Sequence, residues 1–359
     1  MGDRLGRKGG MDLDSSKTVH NDRVDGPVVG PSLGRFLDAC NSLNGRLNRI
    51  MPLLTPFGVL LGLLLGSRVS WMKPAVNWLF GLMTFLGAMK ISAKDMLASL
   101  RRPVFFAAFA LGGYVLMPLV AFTIGSVFFP GDKELLCGYV LLRATPSAVV
   151  CTIWAGIYSG NMAVSIAMLV LDSFLSPFMT PLLLRLYTGA SVAVDSVGMM
   201  KSLCFMVLLP SLLALVFNHF KAPSIKKVWT PATNPLSKLL MVLVIMINTS
   251  QVSQSIIENA SWKYVAIGIA NSLMVVIGFS IGFACAKLMR LDRDSIVSVT
   301  FGVSMRNISA ALVLAISFMP PAASLPVIFG IIFQQSLVAL MGNLAFGEKR
   351  RRDGLSKKG

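Results

Sequence analysis

Long runs of apolar residues separated by short polar segments dominate the sequence from about residue 50 to residue 346. A membrane-spanning helix needs about 20 mainly apolar residues, and ten segments meet that requirement. These segments are 50–67, 74–91, 103–129, 134–157, 162–187, 196–218, 233–249, 262–288, 293–318 and 322–346. The runs lack the alternation of strands and are too long for the strands of an outer-membrane barrel. The pattern therefore predicts an all-α membrane protein with ten transmembrane helices.

The overall composition agrees with that prediction. Of the 359 residues, 55% are hydrophobic and 14% are charged, whereas soluble domains carry about 25% charged residues. This composition excludes a soluble enzyme, a disordered chain and a disulfide scaffold. The five cysteines are scattered and there are two histidines, so we expect no metal site and no cofactor. Because no nucleophile–base pair or carboxylate pair lies within the apolar segments, we also expect no enzymatic activity.

The ends of the chain are polar. Residues 1–48 are rich in Gly, Asp, Ser, Arg and Asn and contain no long apolar run, which predicts a flexible N-terminal tail. Residues 49–346 then form one ten-helix domain, and residues 347–359 form a basic C-terminal tail.

The net charge of +17 indicates the orientation of the chain in the membrane and not a surface that binds nucleic acid. Lysine and arginine concentrate in alternate short loops and in the C-terminal tail, and basic loops stay in the cytoplasm. We therefore expect an integral protein of the plasma (inner) membrane with both termini in the cytoplasm and the lipid bilayer as its partner. The basic residues that fix this orientation are Lys94, Arg101, Arg102, Lys221, Lys226, Lys227, Lys287, Arg290, Arg293, Lys349, Arg350, Arg351, Arg352, Lys357 and Lys358.

The ten segments divide into two halves of five. A shift of about 162 residues places Thr145 on Asn307 and Asp172 on Gln334, and the segments of the two halves agree in kind. An odd number of spans in each half forces the second copy to insert upside down. The sequence therefore predicts two inverted five-helix repeats.

The fourth and ninth segments are each interrupted. The fourth contains Pro146, which removes a backbone donor, and the ninth runs from Gly302 to Ser309 with serine and asparagine side chains that can satisfy freed backbone groups. Broken backbone is tolerated at membrane depth only where protein or water covers it. Paired interruptions point to a transporter binding site; the alternative is a proline kink and a packing surface.

Three ionisable residues lie deepest in the predicted spans, namely Arg143, Asp172 and Arg306. Each is unfavourable at the bilayer centre by about 2.5–3.5 kcal/mol, so we expect them to face protein or water and to lie near one another. One interpretation is a structural Arg–Asp pair. The other is an arginine that receives an anionic substrate, helped by the positive ends of the half-helices. In that case Asp172 either neutralises an arginine in the empty protein or exchanges a proton.

The predicted substrate site combines residues of both interruptions with one residue of the tenth segment. Its members are Arg143, Thr145, Pro146, Ser147, Arg306, Asn307, Ser309 and Gln334.

From about residue 48 to residue 346 the sequence resembles the bile acid:sodium symporter family. The motifs that carry the resemblance are Leu100-Arg101-Arg102-Pro103, Leu116-Met117-Pro118, Ser159-Gly160-Asn161-Met162-Ala163-Val164-Ser165, Leu175-Ser176-Pro177, and Met305-Arg306-Asn307 followed by Ala310-Ala311-Leu312. The resemblance implies a panel domain and a core domain, with broken fourth and ninth helices that cross in the core. It also implies transport by alternating access.

The sequence departs from sodium-coupled members of that family at positions that help to bind sodium. Their Glu three residues before the Met is Gly302 here, the Gln after the Met is Arg306, and the Gln five residues before the third-span Pro is Gly113. Because a nearby arginine opposes a cation, the usual sodium sites are expected to be mostly lost, with Arg306 as a built-in cation. A residual ion site would use Ser147, Ser165 and Ser304.

The function expected from the residues and the resemblance together is secondary transport of a small organic anion. Coupling to protons through Asp172, to residual sodium or to neither stays open. The fourth segment also resembles arsenite-efflux carriers, with Pro146 followed by Trp154, but Ser147 stands where those carriers have a cysteine, and Cys151 lies one turn away. An arsenite-type or other oxyanion efflux carrier and a non-transporting membrane receptor or scaffold are therefore the alternatives.

Overall fold

A computed structural model describes residues 31–89, 103–189, 195–224, 228–258 and 262–356. Within these ranges every regular element is helical, apart from one isolated β-bridge, which confirms the all-α prediction. The α-helices are α1 (Pro31–Leu65), α2 (Val76–Ala88), α3 (Pro103–Ala110), α4 (Met117–Phe128), α5 (Lys133–Ala144), α6 (Val150–Ile157), α7 (Met162–Thr188), α8 (Ser196–Leu203), α9 (Leu209–Ser224), α10 (Thr230–Glu258), α11 (Trp262–Leu288), α12 (Arg293–Ser304), α13 (Ile308–Phe318) and α14 (Ser324–Ser356). Two π-helical turns, Leu111–Leu116 and Cys204–Leu208, join α3 to α4 and α8 to α9, and 3-10 segments cover Gly66–Ala75 and Pro321–Ala323.

Seven stretches of the described residues are helical, apolar and long enough to cross a membrane. They are Pro56–Ala88, Pro103–Phe128, Met162–Thr188, Ser196–Phe220, Thr230–Gln251, Trp262–Leu288 and Pro321–Gly347. The difference from ten has two local causes. The predicted spans 134–157 and 293–318 each fall on a pair of shorter helices, and the first two predicted spans both overlap Pro56–Ala88. The number of crossings therefore stays a prediction.

Gly66 separates the first two predicted spans. Its φ of +50° lies in the left-handed region, which glycine adopts without steric cost, and α1 ends at the residue before it. Helices α1 and α2 both pack against α10. The continuous helical stretch therefore consists of α1 and α2 joined by the 3-10 segment that begins at this glycine.

Helix α1 corrects the predicted N-terminal tail. The helix begins at Pro31, so the prediction of a flexible segment is wrong for residues 31–48. Leu37 and Leu47 are buried, each with 7% of its surface exposed. Together with Cys40 and Asn44 they form a stripe at alternating spacings of three and four residues, which is typical of one face of a helix. Because the rest of the protein covers only this one face of the helix, the segment contains no long apolar run, and the sequence analysis therefore did not predict a helix here.

Several sequence predictions fall outside the described residues. Residues 1–30 of the predicted tail lie there, and so do the basic residues Lys94, Arg101, Arg102, Lys226, Lys227, Lys357 and Lys358. At the other end, α14 continues to Ser356, so most of the basic C-terminal segment extends the last helix. The cytoplasmic location of both termini stays a prediction.

The two interrupted helices are built alike. Asp132 caps α5 by accepting a hydrogen bond from Leu135 N, and Asp292 caps α12 in the same way from Ser295 N. Each of these helices has 12 residues, ends at an interruption and is followed by a second helix, α6 or α13. An aspartate at the first turn satisfies backbone donors that have no partner within a helix. The likeness of these two units is consistent with an inverted repeat, which itself stays a prediction.

The helices form two packing groups. In one group α1, α2, α9 and α10 pack on one another, and in the other α5, α7, α11, α12 and α14 surround the two interruptions. Most of the largest fully buried side chains belong to the second group, and they include both arginines that the sequence analysis singled out, Arg143 and Arg306. These two groups are the candidates for the panel and core domains.

A close approach between α1 and α10 gives a test of this packing. A Cβ atom at Gly62 would lie 2.5 Å from Met246 O and 2.7 Å from Thr249 Cβ, whereas a Cβ atom at Gly45 on the same helix would meet nothing within 4 Å. We expect Gly62→Ala to lower the stability by about 1–3 kcal/mol, because the two helices must separate. Gly45→Ala should be neutral or stabilising by about 0.5–1 kcal/mol. Thermal unfolding of both variants in detergent measures this; equal melting temperatures would contradict the described contact.

Candidate functional site

The two interruptions lie against each other in the middle of the second packing group. An antiparallel β-bridge joins Ser147 to Arg306. On either side of it, Ala148 N donates to Met305 O at 3.0 Å and Asn307 N donates to Pro146 O at 2.7 Å. Backbone groups that the broken helices leave without an intrahelical partner are therefore satisfied by the other break, as a membrane interior requires.

Side chains from two further helices complete the hydrogen bonding of the breaks. Gln334 on α14 accepts from Arg306 N at 3.3 Å and donates to Arg306 O at 3.0 Å. Thr180 on α7 donates to Ala144 O at 2.8 Å, and the Asn307 side chain caps α13 by accepting from Ala310 N at 3.1 Å. Gln334 and Asn307, both predicted site residues, thus hold the second break in place.

Asp172 on α7 is the acceptor on which several donors converge. Its Oδ2 atom accepts from Arg306 Nη1 at 3.0 Å and from Ser147 N at 2.6 Å, and Ser147 Oγ also lies 2.6 Å from it. Its Oδ1 atom accepts from the Tyr114 hydroxyl. The side chains of Asp172 and Arg306 are completely buried. This is the Arg–Asp pair that the cost of buried charge predicts.

The Arg306 guanidinium is enclosed by groups of α3 and the first π-helical turn. Its Cζ atom lies 5.6 Å from the ring centroid of Phe109 and 5.7 Å from that of Tyr114, distances at which a ring attracts a cation. A Cβ atom at Gly113 would lie 2.2 Å from Arg306 Nη2. The two departures from the family pattern are therefore coupled, because a side chain at residue 113 would displace the guanidinium from this position.

Arg143, in the last turn of α5, contacts the end of α12. Its Nη1 atom donates to Ser304 O at 3.0 Å, and the side chain is completely buried. Among the described residues, Nε and Nη2 of both Arg143 and Arg306 have no hydrogen-bond acceptor. With two arginines and one aspartate, the buried cluster carries an excess of positive charge and spare donors, which favours an anion nearby.

A cavity of about 500 Å³ adjoins the breaks. Six of the predicted site residues line it: Pro146, Ser147, Arg306, Asn307, Ser309 and Gln334. Arg143, Thr145 and Asp172 are not part of the lining and are fully buried, as is the side chain of Arg306. Most of the remaining lining is apolar, and no described residue of the lining is an aspartate or glutamate. The first residues of α6 and α13, Val150 and Ile308, also face the cavity, so two positive helix ends point toward it.

The geometry gives little support to the predicted residual ion site. Ser147 Oγ lies close to Asp172 and 3.0 Å from Gly302 O. Ser304 O accepts from Arg143, and Ser165 is completely buried, with no hydrogen-bond partner for its Oγ in the described part of the chain. A guanidinium at Ser304 opposes a cation there. The ion site therefore stays a prediction that this charge arrangement disfavours.

Two residues of the site were not found from the sequence. Tyr114 was not singled out, although it follows Gly113 directly and donates to Asp172. Lys238 lines the cavity from α10; a lone lysine inside the apolar run 233–249 was the signal that could have found it. Cys151, the cysteine considered for arsenite, is buried with 2% of its surface exposed.

The chain is similar to known membrane proteins. The family model described as the sodium bile acid symporter family matches residues 77–259. An uncharacterized protein of Bacillus subtilis, YbaS, is 35% identical over 294 residues, which is 81% of this chain and 95% of the relative. The uncharacterized sodium-dependent transporter YocS of the same organism is 24% identical over 74% of this chain and 81% of its own length. The probable chloroplastic sodium/metabolite cotransporter BASS1 of Arabidopsis thaliana is 29% identical, with coverages of 74% and 65%.

The coupling of Gly113 to Arg306 can be tested by a double-mutant cycle. We expect Gly113→Ala to lower the stability by about 1–3 kcal/mol, because the new methyl group displaces the guanidinium. In an Arg306→Gln background most of that loss should disappear, since the shorter side chain leaves room. Gly87→Ala is the matched control, because its Cβ atom would meet only Val149 Cγ2 at 3.7 Å. Melting temperatures of the four proteins of the cycle measure the coupling; strictly additive effects would contradict it.

Proposed function

The chain belongs to the sodium bile acid symporter family and is an integral membrane transporter, and from this premise we propose that it carries a small organic anion by alternating access. The observation that carries the proposal is the cavity beside the two breaks. Arg306 belongs to its wall, the lining is mostly apolar, and no carboxylate is present among the described lining residues. Such a cavity attracts an anion and accommodates an apolar body.

The electrostatics of the breaks support binding of an anion rather than a cation or a neutral sugar. Arg143 and Arg306 outnumber Asp172, the one buried carboxylate among the described residues. In a medium of low dielectric constant this excess acts more strongly than it would in water. The starts of α6 and α13 at the cavity add positive partial charge. A carboxylate or sulfonate held near Arg306 would satisfy these groups together.

We propose that Asp172 neutralises Arg306 while the cavity is empty. Both carboxylate oxygens accept hydrogen bonds, and one of them is 3.0 Å from the guanidinium. An arriving anion then shares the guanidinium with Asp172. This role is favoured over proton exchange because Tyr114, Ser147 and Arg306 already hold the carboxylate from three directions.

Alternating access is proposed to move the two packing groups relative to each other. The group of α1, α2, α9 and α10 would act as the panel and the group around the breaks as the core. The cavity lies between them, since residues of both groups line it. We retain the predicted inverted repeat, the ten crossings, the crossing of the broken helices, the plasma-membrane location and the cytoplasmic termini as parts of this proposal.

For coupling, two observations point in different directions. The names of two relatives, a sodium-dependent transporter and a probable sodium/metabolite cotransporter, suggest sodium. The geometry suggests that Arg306, fitted against Gly113 and paired with Asp172, supplies the positive charge instead. We propose that this chain binds its anion without sodium, with Arg306 as the fixed cation.

The role of Arg306 is tested by restoring the residues of the sodium-coupled pattern. A bile acid, a 2-oxo acid and pantoate serve as probes for purified protein, by thermal shift and by uptake into proteoliposomes. We expect wild-type binding to persist when sodium is replaced by choline, and Arg306→Gln to weaken it by about 10- to 100-fold, as loss of a charged hydrogen bond does. The triple variant Gly113→Gln, Gly302→Glu, Arg306→Gln should bind only with sodium.

Loss of wild-type binding in choline would overturn the fixed-cation proposal. Arg306→Lys is the matched control, because it keeps the positive charge without the planar guanidinium. Unchanged binding of all probes by Arg306→Gln would show that the anion binds elsewhere.

The role of Asp172 is tested with Asp172→Asn. Removal of the competing carboxylate should increase the affinity for the anion, while the melting temperature of the unliganded protein falls because Arg306 loses its buried partner, a loss of about 3–5 kcal/mol. Thermal shifts at increasing anion concentration measure both effects. A different result would assign proton coupling to Asp172. In that case a pH gradient drives accumulation of the anion by the wild type, and Asp172→Asn abolishes this accumulation without changing the affinity for the anion.

A further inference from the structure

We propose that Lys238 binds a second anionic group of the transported compound, so that the preferred substrate is a dianion with an apolar segment between its charged ends. This inference rests on the proposed function, because it names the class of anion that the same cavity takes. It assigns to Lys238 the role of a specificity-determining residue.

Lys238 belongs to the cavity but to a different packing group from Arg306. It lies on α10, about 12 Å along the helix from Thr230, inside the stretch Thr230–Gln251 that is long and apolar enough to cross a membrane. Only 8% of the residue is exposed, and it lines the cavity. The cavity therefore has one cationic residue on the α10 wall and another at the breaks.

The ammonium group is held in position by α1. Lys238 Nζ donates to the side-chain oxygen of Asn44 and approaches Asn44 O at 3.4 Å. Asn44, Asn234 and Ser237 line the cavity next to it, so this part of the wall is polar. Asparagine and serine carry no charge, and together with the ammonium they offer donors that suit a carboxylate or sulfonate.

The same face of α10 becomes apolar beyond Lys238. Met241 and Ile245 follow it at spacings that keep them on one side of a helix, and both line the cavity. From Lys238 to Ile245 this face extends for about 10 Å. A ligand anchored at Lys238 can therefore lay an apolar segment along α10.

The charge of the whole cavity favours two negative groups over one. Arg306 and Lys238 line it, and the described lining contains no aspartate or glutamate. A monoanion would meet only one of the two cationic residues. Because charge interactions are strong where water is excluded, a second anionic group at Lys238 adds affinity that a neutral group of the same size cannot add.

The competing explanation is that Lys238 only ties α10 to α1 through Asn44. The two explanations predict different results. A structural tie affects the melting temperature and leaves discrimination between ligands unchanged. A binding role changes the preference for a dianion over its matched monoanion.

The experiment uses the purified full chain and a series of aliphatic α,ω-dicarboxylates of four to ten carbons, each compared with its monomethyl ester. The two members of each pair differ in one charge at nearly constant length. Dissociation constants come from the shift of the melting temperature with ligand concentration. We expect wild type to bind the diacid more tightly than the ester by about 10- to 100-fold at one optimal chain length.

Four variants separate the contributions. Lys238→Met should abolish the preference by weakening diacid binding to the level of the ester, while ester binding stays unchanged. Lys238→Arg should retain a preference. Asn44→Leu should lower the melting temperature and keep a preference, because the ammonium remains. Lys263→Met is the control, since Lys263 pairs with Asp132 outside the cavity and should change nothing.

Three outcomes overturn the inference. If wild type binds ester and diacid equally well and Arg306→Gln weakens both, the anion site stands and the second anionic subsite is wrong. If Lys238→Met weakens both ligands by the same factor, Lys238 is a structural tie. If no ligand of the series stabilises the protein in a way that depends on Arg306, the proposed anion site itself is wrong, and this inference is wrong with it.

Discussion

The ion pair between Arg306 and Asp172 is the interaction on which the centre of this protein depends. A guanidinium with no exposed surface is tolerated in a membrane protein only if its charge and donors are satisfied from within. Here one carboxylate oxygen binds the guanidinium together with the first break, through Ser147 N. The same carboxylate thus neutralises the charge of Arg306 in the second break and holds the backbone of the first break in place. Removal of either partner would leave the charge of the other unpaired in apolar surroundings.

The arginine also explains why a small residue occupies position 113 beside it. Gly113 leaves the space into which the guanidinium fits, and Gly302 O lies within hydrogen-bonding distance of Ser147 Oγ. A Cβ atom at Gly302 would approach Met168 Cε at 3.2 Å, so a larger residue there requires Met168 to move. Gly113 and Arg306, two departures from the pattern of sodium-coupled members, are therefore parts of one arrangement, which supports the proposal that a covalently attached cation takes the place of a bound one. A larger residue at position 113 would require the Arg306 guanidinium to move.

Much of this arrangement could be predicted from the sequence, and the remainder depends on contacts between distant segments. Apolar runs of helical length indicate the helices, and Pro146 and the Gly302–Ser309 segment indicate the breaks, because these are local properties. The desolvation cost of charge indicates that Asp172 must meet an arginine, but not that it meets Arg306 while Arg143 binds Ser304 O. Tyr114 and Lys238 acquire their positions only when helices far apart in the chain pack together. The N-terminal half of α1 was missed because a helix covered on one face has no long apolar run.

The length of α1 has a practical consequence. Its 35 residues correspond to about 50 Å of helix, more than the roughly 30 Å of a bilayer core, and its N-terminal part precedes the apolar stretch that begins at Pro56. Asn44 belongs to that N-terminal part and nevertheless forms part of the cavity wall. A truncation of this chain back to residue 48 would therefore take away Asn44, and with it a part of the cavity wall and a hydrogen-bond acceptor of Lys238.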